Sequence, residues 1–373
     1  MGKRGLVFTS SMLVALALVY AEPIVFPKTI PDSPIEKSEV SRQSTALQYE
    51  PIPTQGYAKW IGQSLKTFES NFGSALESYP SGFGYTVSLY NSLDKTQYLE
   101  VNSREEQIAA IKIVGSSATN ENIAPFTFGM TMSDLAQISM IYPNFSISYQ
   151  DQVIGFELME EDMNYRPLIA FDNDTFAMLF FNQTLGELMS VMYLDKDTLL
   201  KLAPYQVTMG TPPSYSVAAN ADWEVINSEK EKYLKLLLSN LRLKELGIPT
   251  NYSVELQSKS DMLLGKLAQD PANYFSEERY EELLASQSTL THAPFVSSGT
   301  EFEEILKKEQ ITDARGLMYT PSYDPTFQLL SFFSDPFVHT KFVDEPNATF
   351  ALSIAQEKIL ILVQNENSTK DSE

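Results

Sequence analysis

The chain contains no cysteine and only two histidines, His292 and His339, among its 373 residues. Without cysteine it cannot be a small disulfide framework, so any fold must be held together by buried apolar cores. The same absence excludes a cysteine–histidine dyad and a cysteine-ligated zinc site, and a site built on three histidines cannot form. Because most side-chain catalysis near neutral pH uses imidazole or thiolate, the available chemistry is narrow.

Length and composition predict a multidomain globular protein. At roughly 150 residues per domain, the chain is long enough for two or three domains. Its hydrophobic fraction of 43% and aromatic fraction of 12% are typical of chains with buried cores rather than disordered ones. The net charge of −21 repels nucleic-acid phosphates and anionic lipids, so no nucleic-acid partner is expected. Solubility is a sufficient reason for the acidity itself.

The amino terminus has the pattern of an export segment. Lys3 and Arg4 precede an apolar run at residues 5–21, and its last three residues, Val-Tyr-Ala, fit a signal-peptidase cleavage pattern. The run is also just long enough, at about 17 residues, to be an uncleaved anchor. Residues 1–26 are therefore predicted to be a signal peptide or a membrane anchor. Either interpretation places the rest of the chain outside the cytoplasm, secreted or anchored.

The rest of the chain divides by composition. A proline-containing stretch at residues 27–55 is predicted to be a disordered tether, and glycine, proline and serine mark residues 207–224 as a linker. The two globular segments are residues 56–206 and 225–365, and residues 366–373 are a polar tail. An exported, acidic chain without cysteine favours a Gram-positive bacterial origin.

The first globular segment contains the same pattern twice. Residues 62–68 are typical of a helix start, with Ser64 as its candidate cap, and strand-like runs follow. Residues 129–135 begin a second pass of the same kind, in which the turn at residues 172–174 occupies the place of residues 102–104 in the first. We predict one α+β domain made of two copies of a helix followed by antiparallel strands.

The second globular segment predicts helices followed by a strand pair. Ser228 and Glu231 form a capping box that predicts the start of the first helix, and Gly247 and Pro249 predict its end. Further helices are predicted at residues 256–267, 276–285 and 301–308, and two antiparallel strands at residues 348–355 and 358–363. Helices followed by an antiparallel sheet make this domain α+β as well.

Several motifs of this segment resemble the CAP superfamily (cysteine-rich secretory, antigen 5 and pathogenesis-related proteins, also called SCP-like). Residues 237–247 look like its opening helix, which reads Asn-x-x-Arg and then a glycine. Residues 260–262, Ser-Asp-Met, fall where bacterial members carry His-Ser-x-Asp-Met, and residues 274–276 fall where they read Tyr-Phe-Ser-His. Residues 334–339 fall near their Ser-Pro-Gly-His-Arg. The resemblance implies a C-terminal CAP-like α-β-α sandwich, and the segment before it resembles the domain that often precedes CAP domains in Gram-positive bacteria.

The chain departs from the superfamily at the cavity residues. CAP cavities with a metal or acid–base role use two histidines and two glutamates, and here Ser258 stands at the first histidine position and Glu277 where the second would follow. Arg315 through Tyr319 lie in the region of the missing Gly-Glu-Asn-Ile box, and His339 is the surviving histidine. The resemblance therefore implies a degenerate cavity formed by Ser258, Glu277, Arg315, Tyr319 and His339. No metal, cofactor or catalytic residue is expected.

Ordinary structural roles compete with each candidate. His339 is also explained as a polar loop residue, Glu277 as part of a solvated helix face, and His292 would join His339 only if the fold brought them together. The acidic turns at residues 172–174 and 195–197 lack the glycine and terminal glutamate of a calcium loop. Turn chemistry explains both.

Aromatic residues are dense before the final strands. They are Tyr319, Tyr323, Phe327, Phe332, Phe333 and Phe337. Most are expected in the core, but a groove lined by some of them would bind a peptide, glycan or lipid.

Three functions remain open at this point. The first, favoured by the missing histidines, is an exported, membrane-tethered, non-enzymatic binding or scaffolding protein of the bacterial cell surface. Its partner would be a cell-wall component, a peptide or another surface protein. The second is a cell-wall or peptide hydrolase, which needs His339 and a carboxylate such as Glu277 within hydrogen-bond reach. The third is a lipid-binding CAP protein, which needs an apolar cavity in the C-terminal domain.

Overall fold

The computed structural model describes residues 49–91, 98–115, 121–288, 293–335 and 345–365. The predicted leader, residues 27–48 of the predicted tether and the polar tail lie outside these ranges. The prediction of disorder was wrong for the end of the tether, where Ile52 N donates to Ala170 O at 2.9 Å. Ala46–Glu373 forms one compact unit. Within the described ranges, no helix combines the length and the apolar character needed to cross a membrane.

The described residues of the first half of the unit form ten strands and four α-helices. The strands are β1 (Glu77–Pro80), β2 (Thr86–Asn91), β3 (Tyr98–Arg104), β4 (Gln107–Val114), β5 (Asn144–Tyr149), β6 (Gln152–Glu157), β7 (Leu168–Ala170), β8 (Thr175–Phe181), β9 (Leu188–Asp195) and β10 (Gln206–Met209). The helices are α1 (Leu65–Phe72), α2 (Met132–Ile138), α3 (Glu160–Tyr165) and α4 (Lys196–Leu202). Seven strands form an antiparallel sheet in the order β1-β2-β3-β4-β9-β8-β7, and β10-β6-β5 form a second, smaller one.

The large sheet contains the predicted internal repeat, with β4 and β9 side by side at its centre. Gly62 N donates to Ile108 O at 2.8 Å, and Gly129 N donates to Leu188 O at 2.9 Å. In each copy, a backbone hydrogen bond thus connects the segment before the helix to the start of the last strand. The two glycines have φ angles of 80° and 81°, in the left-handed region that glycine favours. Two copies of one helix-and-strand unit are confirmed.

One detail of the predicted repeat was wrong. Residues 102–104 are not a turn, because β3 continues through Arg104 and the turn to β4 lies at Glu105 and Glu106, which have φ angles of 49° and 62°. Ser64 does precede α1, but its side chain makes no capping hydrogen bond. In the second copy Thr131 caps α2 by accepting from Asp134 N.

Where the structure describes the second half, it consists of five α-helices and five strands. The helices are α5 (Trp223–Leu241), α6 (Val254–Gln269), α7 (Glu277–Ser288), α8 (Gly299–Lys308) and α9 (Pro325–Ser334). The strands are β11 (Asn251–Tyr252), β12 (Phe295–Ser298), β13 (Ala314–Thr320), β14 (Ala348–Ala355) and β15 (Lys358–Asn365). They form one sheet in the order β11-β14-β15-β13-β12, antiparallel except for the short β11–β14 pair.

Alternation along β14 shows how this sheet is covered. Phe350 and Leu352 point into a core shared with Leu237 of α5 and Leu330 of α9. Ala351 points the other way, into the core beneath α6, α7 and α8. This is the predicted CAP-like α-β-α sandwich, and the α+β fold class is confirmed. The core that contains Phe350 and Leu352 also includes one face of the seven-stranded sheet. The helices α5 and α9 therefore pack between the two large sheets.

The first helix of the sandwich begins earlier than predicted. It starts at Trp223, where Asp222 accepts from Val225 N at 3.3 Å, so Ser228 is an interior helical residue and not a cap. Gly247 ends the helical segment as predicted, with φ 68°. The predicted linker opens with the strand β10, which pairs with β6.

Candidate functional site

The four predicted cavity residues that the structure describes do not come together. Ser258 on α6 and Glu277 at the start of α7 are exposed, on the side of the sheet covered by those helices. Arg315 and Tyr319 lie on the same face of β13 as Leu317. Leu317 points into the core on the other side of the sheet, which also contains Phe350 and Leu352. The sheet therefore separates the two pairs. Both histidines of the chain, including His339, lie outside the described residues.

The Ser-Asp-Met motif on α6 has a structural role. Ser353 Oγ of β14 lies 2.7 Å from the Oγ of the fully buried Ser260 and 2.6 Å from Asp261 Oδ1. Gln257 on the same helix donates to Leu352 O at 2.9 Å. These contacts hold α6 on the sheet. Arg315 is likewise engaged, in an ion pair with Glu345.

The predicted aromatic groove is a small cavity. Tyr319, Tyr323 and Phe327 line a space of about 80 Å³, whereas Phe332 and Phe333 are buried in the core. Phe337 lies outside the described residues. Burial raises the pKa of Tyr319, which keeps its phenol neutral. The space has room for only a few water molecules and is much too small for a lipid chain.

A buried cluster of charges joins the two halves of the unit. Lys112 Nζ on β4 lies 2.5 Å from Glu100 Oε1 on β3 and 2.7 Å from Asp324 Oδ1, just before α9. Glu100 Oε2 also accepts from Tyr98 Oη at 2.7 Å and Thr326 Oγ1 at 2.6 Å. Burial alone would lower the pKa of Lys112, but Asp324 and Glu100 hold it above its ordinary value.

Aromatic rings extend this junction. Phe83, in the hairpin between β1 and β2, meets the rings of Tyr323 at 5.1 Å and Trp223 at 5.4 Å between centroids. Tyr215 stacks on Tyr323 at 5.1 Å, and Tyr85 Oη donates to Tyr323 O at 2.8 Å. The hairpin, the segment before α5 and the loop before α9 therefore meet in one aromatic cluster.

Lys230 of α5 reaches into this cluster. The residue is 2% exposed, and its Nζ lies 4.2 Å from the Phe83 ring centroid and 5.4 Å from that of Trp223. Among the described residues this Nζ has no hydrogen-bond partner. Burial lowers the pKa of Lys230 to about 7, against opposing contributions from Asp324 and Glu357.

An open cleft, which we call the α5 cleft, lies beside the aromatic cluster. It has a volume of about 540 Å³. Its walls come from the hairpin (Pro80, Gly82, Gly84, Tyr85 and Thr86), the β3–β4 turn (Ser103, Arg104 and Glu105), and the chain that enters α5 (Ala218, Asn220, Ala221, Asp222, Val225 and Ile226). The size is in the range of ligand pockets. Sequence reasoning missed the cleft because most of its wall residues carry no distinctive chemistry.

The charge of the cleft is negative. Arg104 is neutralised by ion pairs with both Asp195 and Asp197. Glu105 and Asp222 line the cleft and are exposed. The remaining wall is largely apolar, with Val225 54% exposed. This arrangement fits a ligand that has an apolar body and a positive group.

The comparisons with known proteins match this architecture. A family model described as CAP-associated N-terminal covers residues 61–205. The uncharacterized membrane protein YlbC of Bacillus subtilis is 24% identical over 194 residues, which are 52% of this chain and 55% of that protein. The chain thus spans about half the length of this curated relative.

Two solved structures share the fold. A cysteine-rich secretory protein from Staphylococcus aureus has a TM-score of 0.63 at 19% identity, over 85% of this chain and 95% of its own. An extracellular protein containing an SCP domain from Bacillus anthracis has a TM-score of 0.64 at 18% identity, over 86% and 98%. The chain therefore has the fold of a CAP-associated domain joined to a CAP-like sandwich. Residues 61–205 match the CAP-associated N-terminal family model, and a Gram-positive origin is supported.

Proposed function

We propose that the protein is a non-enzymatic binding protein of the Gram-positive cell surface, exported and tethered to the membrane by its N-terminal segment. Its α5 cleft binds a short cationic peptide segment, from the cell wall or from another surface protein. The observation that carries the proposal is the cleft itself, an open space of about 540 Å³ with largely apolar walls and exposed carboxylates at Glu105 and Asp222.

The proposed location rests on the sequence and on relatives. Residues 1–26 have the pattern of a signal peptide or anchor, with a proline-containing tether after them. The Bacillus subtilis relative is named a membrane protein, and the Bacillus anthracis structure is titled an extracellular protein. An acidic chain with a net charge of −21 also attracts cationic partners in general.

The proposed non-enzymatic character is supported by the separation of Ser258 and Glu277 from Arg315 and Tyr319. A hydrolase of the kind considered above needs Glu277 and His339 together; Glu277 is exposed on the face of the sandwich opposite to Arg315 and Tyr319, and His339 lies outside the described residues. A lipid-binding role needs a large apolar cavity near Tyr319, where the space is about 80 Å³. The α5 cleft supports neither alternative.

Fluorescence anisotropy with a labelled tetrapeptide that contains two lysines tests the proposal. We expect the purified full chain to bind this peptide and to reject the same peptide with glutamates in place of the lysines. Glu105→Lys should weaken binding roughly fivefold or more, since an exposed charge contact is worth ~1 kcal/mol. Glu106→Lys is the matched control, because Glu106 is exposed in the same turn but does not line the cleft.

Two outcomes would contradict this function. One is equal binding of both peptides, and the other is equal weakening by the two substitutions. Displacement of the labelled peptide by soluble Gram-positive wall fragments assigns the natural ligand to the wall, and a lack of displacement assigns it to a surface protein.

A further inference from the structure

Lys230 lies next to the wall of the α5 cleft. Ile226, one helical turn before it on α5, lines the cleft, as does Gly82, the neighbour of Phe83 in the hairpin. Gly82 lies against the indole of Trp223, because a Cβ atom there would come within 2.4 Å of the ring. The Lys230 side chain therefore occupies the contact between hairpin and helix that shapes the cleft.

The carboxylates that face Lys230 are engaged elsewhere. From the loop before α9, Asp324 binds Lys112, and from the β14–β15 turn, Glu357 pairs with Lys358. On α5 itself, the neighbouring Glu229 and Glu231 pair with Lys232 at 3.6 Å and with Lys235 at 2.5 Å.

The phenols of the surrounding elements do not supply a counter-ion either. Burial raises the pKa of Tyr85 in the hairpin, of Tyr215 before α5 and of Tyr323 before α9, so all three remain neutral at physiological pH. An ammonium group gains cation–π attraction from a nearby ring but loses its hydration in such a place. The pKa of Lys230, lowered to about 7 by burial, places this change of charge near neutral pH.

We infer that Lys230 is a proton-operated latch on the α5 cleft. In its neutral form the Lys230 side chain packs within the aromatic cluster, and the hairpin remains packed against α5. In its protonated form the amine turns toward water, the contact of Phe83 and Gly82 with α5 loosens, and a positive charge faces the cationic ligand. Peptide binding is therefore strong in mildly alkaline solution and weak in mildly acidic solution. The inference rests on the proposed function, because it concerns the regulation of the same cleft.

Trp223 reports on the latch directly. The chain has two tryptophans, so Trp60→Phe leaves Trp223 as the single indole. In the full chain with this substitution, we expect the Trp223 emission to titrate with a midpoint near pH 7, and we expect no such transition when Lys230→Met is added. Lys235→Met is the matched control, because Lys235 lies on the same helix but is paired with Glu231.

The lysine tetrapeptide provides the second measurement. If binding requires the loss of one proton, its affinity should fall roughly tenfold or more between about pH 8 and about pH 5.5, and Lys230→Met should remove the fall. An unchanged Trp223 emission across this range overturns the inference alone, as does a pH dependence of binding that Lys230→Met leaves intact. The absence of binding at every pH overturns the proposed function, and with it the regulation of the cleft.

Discussion

The Nζ atom of Lys112 lies 2.7 Å from Oδ1 of Asp324, although 212 positions separate the two residues in the chain. One belongs to the seven-stranded sheet and the other precedes a helix of the C-terminal sandwich, and their side chains are only 1% and 2% exposed. A buried ion pair is weak evidence for net stability, but the loss of one partner leaves the other charge buried without compensation.

Lys112→Met is therefore expected to destabilise the chain strongly. With Glu100 and Asp324 left as uncompensated buried carboxylates, the free energy of unfolding in urea should fall by ~3–5 kcal/mol. Lys59→Met, at an exposed position of the same half, should change it by less than ~0.5 kcal/mol. Combining Lys112→Met with Glu100→Gln and Asp324→Asn should recover part of the loss. Equal unfolding midpoints for the two methionine variants would refute the role of the cluster.

Lys230→Met is expected to stabilise the chain, and by an amount that depends on pH. The pKa of this lysine is lowered from 10.5 to about 7 in the folded chain. Between these values the unfolded chain binds more protons, so the contribution of Lys230 to stability rises with pH across that window. The advantage of methionine should be largest below about pH 7 and shrink by up to ~1.4 kcal/mol per pH unit above it.

Urea unfolding at several pH values measures how the difference in free energy of unfolding between Lys230→Met and wild type decreases as the pH rises. Lys235→Met provides the comparison on the same helix, where Nζ pairs with Glu231 at 2.5 Å. If the difference in free energy of unfolding between wild type and Lys230→Met is constant from about pH 7 to about pH 9.5, the account is contradicted. Unfolding would then not be coupled to proton binding at Lys230.

Two glycines of the sandwich should respond oppositely to alanine. At Gly316 of β13 a Cβ atom would lie 2.2 Å from Cε1 of Phe302 on α8, so Gly316→Ala should destabilise by ~1–3 kcal/mol through overpacking. At Gly265, within α6, a Cβ atom meets nothing within 4 Å, so Gly265→Ala should stabilise by ~0.5–1 kcal/mol. Thermal unfolding of both variants checks the packing of the sheet. A Gly316→Ala variant as stable as the wild type would show that α8 lies farther from β13 than the structure places it.

Substitution of the predicted cavity residues should have little effect. Ser258 and Glu277 are exposed, so Ser258→Ala and Glu277→Gln should each change the free energy of unfolding by less than ~0.5 kcal/mol. Their affinity for the lysine tetrapeptide should equal that of the wild type. A release of soluble fragments from purified Gram-positive walls that is lost in Glu277→Gln would instead support the hydrolase alternative.

Regular, amphipathic parts of the fold could be predicted from the sequence. The strands β14 and β15 and the helices α6 and α8 show clear periodicity, and Gly247 marks the end of the first helical segment. The helix α9 has no such pattern, because all ten of its residues are buried and a helix that is covered all round has no polar face. The helix start at Trp223 was missed because Ser228 and Glu231 imitate a cap inside α5.

The candidate site was harder to predict than the fold. A resemblance in sequence order places Ser258 and Arg315 in one cavity, but only the side of the sheet to which each residue belongs decides whether they meet. That side depends on a two-residue alternation along β13 and on the packing of α6. The α5 cleft depends on contacts between the hairpin and the start of α5, which are more than a hundred residues apart. No local motif encodes such a contact.

Hydrogen–deuterium exchange of the full chain, with and without the lysine tetrapeptide, tests most directly whether the α5 cleft is the binding site. The account predicts that the peptide slows exchange at residues 80–86, 103–105 and 218–226, which form the cleft walls. Protection confined to the strands and helices around Tyr319, or no protection at the hairpin while the peptide is bound, would contradict it.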